Sequence, residues 1–272
     1  MSVVQIQIGE FHRSPGLTVN ALPRSCVFLT ATIAPPQPAV TRNNPRVRLQ
    51  DYLASIEFYL SLPTDIVDRI LFVDNSGSDI TPIEEFVRKR GSDKAVELIS
   101  FAGNDHPVNY GKAYGEFKLM DFGLEHTSLL SESDYFWKVT GRLKLLNLAD
   151  MVASVTNDYD VLCDLHNFPF VGTGKPFANR WMDLRVFSCT HRAYKELFTG
   201  KYEEFGHRMN QDVLYDVVLA ARSHMKILPR FIEQPVITGM SGRHDRDYHH
   251  GLQRLKTVVR AGIRKAAPFV WV

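Results

Sequence analysis

The chain has 272 residues, 44% hydrophobic and 11% aromatic, which suits the core of one large domain or two small ones. Its 32 basic and 30 acidic residues give a net charge of +2, so there is no general reason to expect a nucleic-acid partner. Cys26, Cys163 and Cys189 are odd in number and lie in or beside apolar runs; they read as buried free thiols, not a disulfide framework or zinc knuckle. The N-terminus lacks a basic segment followed by a long apolar one, and no apolar run approaches the roughly 18 residues of a membrane span. The expectation is an intracellular, cytoplasmic protein, soluble or at most peripheral on a membrane.

Residues 1–24, with Pro15, Gly16 and Pro23, read as an arm or a short edge strand. Ser25–Ile33 is a continuous apolar run of strand length, as suits a strand buried on both faces. After a polar loop carrying Arg42 and Arg46, the spacing of Leu49, Leu53, Ile56 and Leu60 predicts a helix over Asp51–Leu60. Arg69–Val73 is a second buried strand ending in the turn Asp74-Asn75-Ser76-Gly77. Thr81-Pro82-Ile83-Glu84 reads as a capping box opening a helix that stops at Gly91. A third strand, Ala95–Phe101, is followed by a helix over Lys112–Leu124.

Tyr135–Leu143 is the next strand-like run, ending at Thr140-Gly141 with Lys138 and Arg142 on either side. Both cations are expected where the strand hands over to a loop. In an open α/β sheet ligands bind at the carboxyl ends of strands. A glycine allowing close backbone approach, with two cations, reads as a site for a phosphate-bearing ligand. The alternative is a buried strand with two snorkelling basic residues. Beyond it come a short helix (Asn147–Val155), strands over Tyr159–Leu165 and Trp181–Cys189 flanking a Gly/Pro-rich loop, helices over Thr190–Phe198 and Met209–Ala221, and a last strand, Lys226–Glu233. A polar loop, Ile237–His250, leads to a final helix over 251–266.

Strands alternate with helices through the first 145 residues, which predicts a mainly parallel, Rossmann-like α/β sheet continuing into a mixed sheet, with helices on both faces. The loop after the first strand, Thr30-Ala31-Thr32-Ile33-Ala34-Pro35-Pro36, has no Gly-x-Gly-x-x-Gly and no Walker A sequence. This weighs against dehydrogenases, P-loop NTPases and methyltransferases, and the absence of Gly-x-Ser-x-Gly weighs against an α/β-hydrolase.

The order of an apolar strand, the Asp74–Gly77 turn, the Gly-Lys-Ala-x-Gly-Glu helix start at Gly111–Glu116, a strand ending near Arg142 and the late Gly-x-Ser-Gly loop at Gly239–Gly242 resembles nucleotide-sugar glycosyltransferases of the GT-A fold. The flavour is that of bacterial polysaccharide (capsule or O-antigen) assembly enzymes with a Thr-Gly-Arg sequence. The resemblance covers residues 25–250 and implies a nucleotide-binding half (25–145) and an acceptor half with a closing loop (146–250). The segment 1–24 stands outside as an arm and 251–272 as a tail. It implies sugar transfer from a nucleotide-sugar donor to a glycan or lipid-linked glycan. The other readings are a nucleotide-sugar-binding protein without turnover and a nucleotidyltransferase; the latter would be expected to carry a Gly-rich phosphate loop near the first strand.

Thr30, Ala31 and Thr32 are thereby implied near the base, and Asp74, Asn75 and Ser76 near base or ribose. Asp74 is otherwise an Asx-turn former. Lys112 stands at the donor-facing helix start, as a phosphate ligand or a solvated lysine. The fold usually carries Asp-x-Asp, holding Mn²⁺ or Mg²⁺, where this chain has Thr140-Gly141-Arg142. In one account Lys138, Arg142, Arg185 and Arg243 neutralise the diphosphate without metal, beside Ser241, Gly242 and Tyr248 of the late loop. In the other, a metal binds Asp164 or His166 together with His249 or His250. Asp245 and Asp247 also have the acid-pair spacing. Asp212 is the candidate catalytic base, with Asp164 and Asp183 as rivals; its alternative is a helix-dipole partner. Trp181, Phe168 and Phe170 are candidates to stack an acceptor sugar, Asp183 to bind it, or the aromatics pack in the core. In 251–266, Leu252, Leu255, Val258, Val259 and Ile263 share one side, and Arg254, Lys256, Arg260, Arg264 and Lys265 the other. That pattern fits an anionic membrane surface, with Phe269 and Trp271 as anchors, or a core-packed helix with a solvated basic face.

Overall fold

The structure is a computed structural model that describes residues 2–6, 25–36, 40–107, 109–155, 158–168, 179–242, 259–264 and 266. Its strands are β1 (Ser2–Ile6), β2 (Ser25–Ala31), β3 (Val67–Asp74), β4 (Ala95–Ser100), β5 (Tyr135–Thr140), β6 (Lys144–Leu145), β7 (Val161–Leu162), β8 (Leu165–Phe168), β9 (Asn179–Met182), β10 (Val186–Thr190), β11 (Ile227–Leu228) and β12 (Ile237–Thr238). Its helices are α1 (Pro45–Ser61), α2 (Thr81–Arg90), α3 (Lys112–His126), α4 (Leu148–Ala153), α5 (His191–Leu197), α6 (Lys201–Phe205) and α7 (Gln211–Ala221).

An eight-stranded sheet runs in the order β1-β4-β3-β2-β5-β10-β7-β11. The block β4-β3-β2-β5 is parallel throughout. β1 and β10 run antiparallel to their neighbours, and β11 pairs parallel with β7. The expected parallel-then-mixed α/β sheet is therefore the observed one. Every residue of β2 is buried, because both faces are covered. Side-chain alternation splits β2: Cys26 and Phe28 pack toward α3, α5 and α7, while Val27 and Leu29 pack toward α1, α2 and α4.

Several expected boundaries move for local reasons. α1 begins at Pro45, ahead of Asp51, because Asn44 caps it by accepting from the Arg46 and Val47 amides. The Thr81 capping box does not form: Asp79 accepts the Thr81 amide at 2.9 Å, and the cap position falls to Ile80, which makes no side-chain bond. The expected strand Trp181–Cys189 breaks into β9 and β10, because Asp183 accepts the Arg185 amide at 2.9 Å in an Asx-turn. Tyr159–Leu165 likewise divides between β7 and β8, and Lys226–Glu233 shrinks to β11, ended by Pro229. Residues 2–6 form the edge strand β1, paired with β4.

Asp121 of α3 accepts from the Tyr194 hydroxyl (2.7 Å) and the Gly200 amide (2.8 Å), tying α3 to α5. Burial raises its pKa from 3.8 to about 6. The folded state thus holds more protons than the unfolded chain between these values, so stability falls as pH rises from about 4 to about 6. Urea unfolding of wild type and Asp121→Asn at pH 4.5 and 7 should show wild type losing about 2 kcal/mol relative to the variant over that range.

Candidate functional site

Chain order carries β2, β3 and β4 outward in one direction, and β5 then returns to the other side of β2. The sheet therefore has its topological switch point between β2 and β5, where a crevice opens at the carboxyl ends. Thr30 and Thr140 are register partners there. The Gly141 amide donates to Thr30 O at 2.8 Å, and a Cβ on Gly141 would lie 2.7 Å from that same oxygen. Only glycine permits this approach. Ala31 is buried beside it.

The β3 turn is stapled to the end of β2. The fully buried Asp74 carboxylate accepts from the Ile33 amide (2.7 Å), the Ser76 amide and hydroxyl, the Ser78 amide and the Ser100 hydroxyl. Burial raises its pKa despite these bonds. Asn75 accepts from the Thr32 hydroxyl at 2.7 Å and donates to Gly115 O at 3.4 Å, linking the end of β2 to α3. Ser76 also accepts from the Ala34 amide. These bonds hold the rim of the crevice in shape.

Lys138 is not at a strand-to-loop handover. It lies inside β5, fully buried, because the two-residue strand period turns it toward α3 with Phe136 and Thr140. Its ammonium pairs with Glu116 and donates to Leu184 O, with the Thr140 hydroxyl at 3.5 Å. Thr30 donates to the same Glu116 at 3.3 Å. Burial pulls the Lys138 pKa down to about 8 against the pull of Glu116. Burial pushes Glu116 up, yet Lys112 and Lys138 together hold it below its ordinary value. Lys112, at the start of α3, is largely exposed, with Nζ 3.7 Å from Glu116.

Arg142 leaves the end of β5 and donates from Nε to Met240 O at 2.7 Å. A Cβ on Gly242 would lie 2.8 Å from Arg142 Nη2 and 3.4 Å from Arg48 Nη1, so the two guanidiniums flank this glycine. Ser241 is buried alongside. Arg48 is buried, 3% exposed, and donates to Thr32 O (2.6 Å), Arg42 O (3.1 Å) and the Tyr52 hydroxyl (2.9 Å). Among the described residues neither Arg48 nor Arg142 has a carboxylate within ion-pair reach, whereas Arg42 is matched by Asp51 at 2.6 Å. Two like charges meet here, one taken out of water, an arrangement that an anion relieves. Arg48 was not a sequence candidate. Its place in the first turn of a helix beginning Asn-Pro was legible, but its burial comes from tertiary packing.

Along the same edge, the antiparallel β10 brings Asp183 and Arg185 beside the end of β5, and the Thr140 amide donates to Arg185 O at 2.9 Å. Burial alone would raise the Asp183 carboxyl; the Arg185 charge outweighs it and holds the group well below the carboxylate range. Asp164, at the end of β7, is bound by both Arg264 nitrogens at 2.9 and 2.7 Å. His166 Nε2 lies 3.4 Å from Asp164, and its ring stacks on Trp181 with centroids 4.7 Å apart. Burial lowers the His166 pKa against the pull of Asp164. Asp212 stands apart, exposed on the first turn of α7 with no ion pair or hydrogen bond to its carboxylate among the described residues. Burial raises its pKa, with Arg180 acting against. The segment before α7 meets the start of α3: a Cβ on Gly111 would lie 3.2 Å from Met209 O.

The tail departs from its expected orientation. In 259–264, Arg264 is turned inward onto Asp164, Phe231 O and Gln234, while Val259 is 52% exposed. The ion pair decides this, so Arg264 does not belong to a free basic face awaiting anionic lipid. No described helix is long and apolar enough to cross a membrane.

Phe170, Arg243, Asp245, Asp247, Tyr248, His249, His250, the tail residues 251–258, Lys265, Phe269 and Trp271 lie outside the described residues, and Phe168 is described only as part of β8. Mn²⁺ or Mg²⁺ demands several oxygen ligands. Thr140-Gly141-Arg142 offers one hydroxyl and a cation, and Asp164 is held by Arg264, so these residues do not fit such an ion. Among the described residues no three His, Cys, Asp or Glu side chains converge as a metal set.

No protein-family model matches this sequence, and no curated protein matches it. Among solved structures, the chain is similar to an inositol-1-phosphate CTP transferase from T. maritima, with TM-score 0.49, 15% identity, and 89% of this chain and 97% of that one covered. It is similar also to 4-diphosphocytidyl-2C-methyl-D-erythritol synthase from Anaerococcus prevotii, with TM-score 0.48, 9% identity, and 88% and 96% covered. A structure described as a glucose-1-phosphate thymidylyltransferase from Bacillus anthracis gives TM-score 0.47, 9% identity, and 88% and 94% covered. Likeness at this level carries no activity from those proteins to this chain.

Proposed function

We propose that the chain is a transferase whose substrate is activated by a nucleotide, with the phosphates of that substrate bound at Arg142 and Arg48. The observation that carries this reading is the pair of guanidiniums, without a described carboxylate, at the switch-point crevice. The first form of the reaction, supported by the sequence resemblance, is sugar transfer from a nucleotide-sugar to a glycan or lipid-linked glycan. The acceptor oxygen attacks the anomeric carbon, and the bond from that carbon to the diphosphate breaks. The electron pair leaves with the nucleoside diphosphate, and charge grows on the oxygen that Arg142 and Arg48 face. Donors already aimed at a developing charge lower the barrier. In an inverting transfer the acceptor proton passes to a carboxylate. Asp212 suits that role better than Asp164 or Asp183, whose oxygens are held by Arg264 and Arg185.

The second form is nucleotidyl transfer, in which a sugar phosphate attacks the α-phosphorus of a nucleoside triphosphate and releases pyrophosphate. The names of the CTP transferase and the thymidylyltransferase above print a nucleotidyl transfer, without its steps. The same guanidiniums would face the leaving pyrophosphate. Against it stands the first loop, which lacks glycines.

One assay separates the readings. The protein is incubated with UDP-, GDP-, dTDP- and CMP-sugars and candidate acceptors, and nucleotide release is followed with and without EDTA. A parallel set uses nucleoside triphosphates with sugar 1-phosphates and follows pyrophosphate. Nucleotide release supports sugar transfer, pyrophosphate supports nucleotidyl transfer, and binding with neither product supports a binding protein. Asp212→Asn should lower kcat by about 100-fold in the first case and abolish the acid limb of the pH profile. An unchanged limb removes Asp212 as the base.

A further inference from the structure

Arg230 follows β11 at the same carboxyl edge, several strands away from Arg48 and Arg142. Pro229 accepts the Leu165 amide at 2.9 Å, so Arg230 lies where the β8–β9 ribbon begins. All three of its side-chain nitrogens are shielded from solvent, and none has a hydrogen-bond partner among the described residues. A guanidinium carries five N–H donors and cannot shed its charge, so a shielded one without an acceptor is a defect unless a ligand supplies the oxygens. Asp164, whose charge acts on Arg230, does not supply them: both its oxygens are held by Arg264. The charges of Arg264 and Asp164 act on Arg230, the first against its own charge and the second for it. Burial, then Arg264, depresses the Arg230 pKa, the response of a cation short of a counter-charge. On the β8–β9 ribbon, Asn179 Nδ2 and Asn167 Oδ1 are also buried without partners among the described residues, and an amide can rotate to present its donor to an anion.

We propose that Arg230 anchors a second anion subsite, with amide support from the β8–β9 ribbon, and that its ligand is a phosphate group on the acceptor. The planar fork of a guanidinium matches the oxygens of a phosphate in a bidentate pair. Assigning this phosphate to the acceptor rests on Arg48 and Arg142 being the donor's site; the anion subsite itself stands on Arg230. A phosphorylated sugar and a phosphate-linked lipid share this chemistry.

The test is calorimetric titration of the full chain with inorganic phosphate, glucose, glucose 1-phosphate and a short-chain isoprenyl phosphate, with and without saturating UDP. Wild type should bind phosphate at a site that UDP does not displace, and Arg230→Gln should weaken that site about tenfold or more while leaving UDP affinity unchanged. Arg230→Lys, which keeps the charge, should retain weaker binding and serves if the glutamine variant does not fold. Glucose should not bind there, and the two organophosphates distinguish a sugar phosphate from a lipid one. Equal phosphate affinity in wild type and both Arg230 variants overturns the proposal. If UDP fails to bind while the Arg230-dependent phosphate site persists, the donor assignment falls and the anion subsite remains.

Discussion

Arg142→Ala should lower kcat/KM by about 100- to 1,000-fold while changing unfolding free energy by only about 1 kcal/mol. The stability term is small because Arg142 is part-exposed and its side chain makes one hydrogen bond among the described residues, from Nε to Met240 O at 2.7 Å. The activity term is large because the Arg142 Nη2 group lies beside Gly242 with no acceptor among the described residues. Its value appears only when charge develops on a leaving phosphate. Arg48 behaves differently. It is buried and holds Thr32 O, Arg42 O and the Tyr52 hydroxyl, so its truncation removes structure as well as charge. Arg48→Lys is the more telling change: it keeps the charge but loses the fork that reaches three oxygens. Steady-state kinetics beside urea unfolding checks both, and wild-type turnover in Arg142→Ala places the phosphates elsewhere.

Lys138→Met should destabilise the protein by about 3–5 kcal/mol, the cost of leaving a buried charge without its partner. Glu116 would lose the ammonium, and its Oε2 has no hydrogen-bond partner among the described residues, only Lys112 Nζ at 3.7 Å. Thr30 and the largely exposed Lys112 cannot replace that buried charge. The double variant Lys138→Met with Glu116→Leu should recover most of the loss, because an apolar pair of similar volume removes both desolvation penalties. Equal destabilisation of the single and double variants would show that the pair acts through packing, not charge. The double variant also isolates what the pair does for the site. Thr30 lies at the end of β2, and a moved Thr30 would shift the Gly141 contact that aims Arg142.

The strands of the parallel block were legible because they are buried on both faces and read as uninterrupted apolar runs. What escaped was local competition by short polar side chains. Asp183 and Asp79 each take a nearby amide that the periodic pattern assigns to a strand or a cap. The place of Thr140-Gly141-Arg142 was legible, since it does close the strand that borders the switch point. Its cations were only half legible. Strand alternation, applied strictly, places Lys138 with Phe136 and Thr140 on an inward face, where it needs an acid such as Glu116. The burial of Arg48 and the isolation of Arg230 arise between segments distant in the chain, and no local pattern announces them.

Arg48 and Arg142 are proposed to hold a substrate's phosphates at the switch point. This role is tested most directly by thermal unfolding with UDP, GDP, dTDP and CMP in EDTA, for wild type and for Arg48→Lys with Arg142→Gln. A ligand at 100 times its Kd stabilises the native state by about 2.7 kcal/mol. One nucleotide should raise the wild-type midpoint by several degrees without metal, pyrophosphate should compete with it, and the double variant should lose the shift while remaining folded. Equal protection of wild type and double variant, or no protection by any of the four nucleotides, contradicts that role.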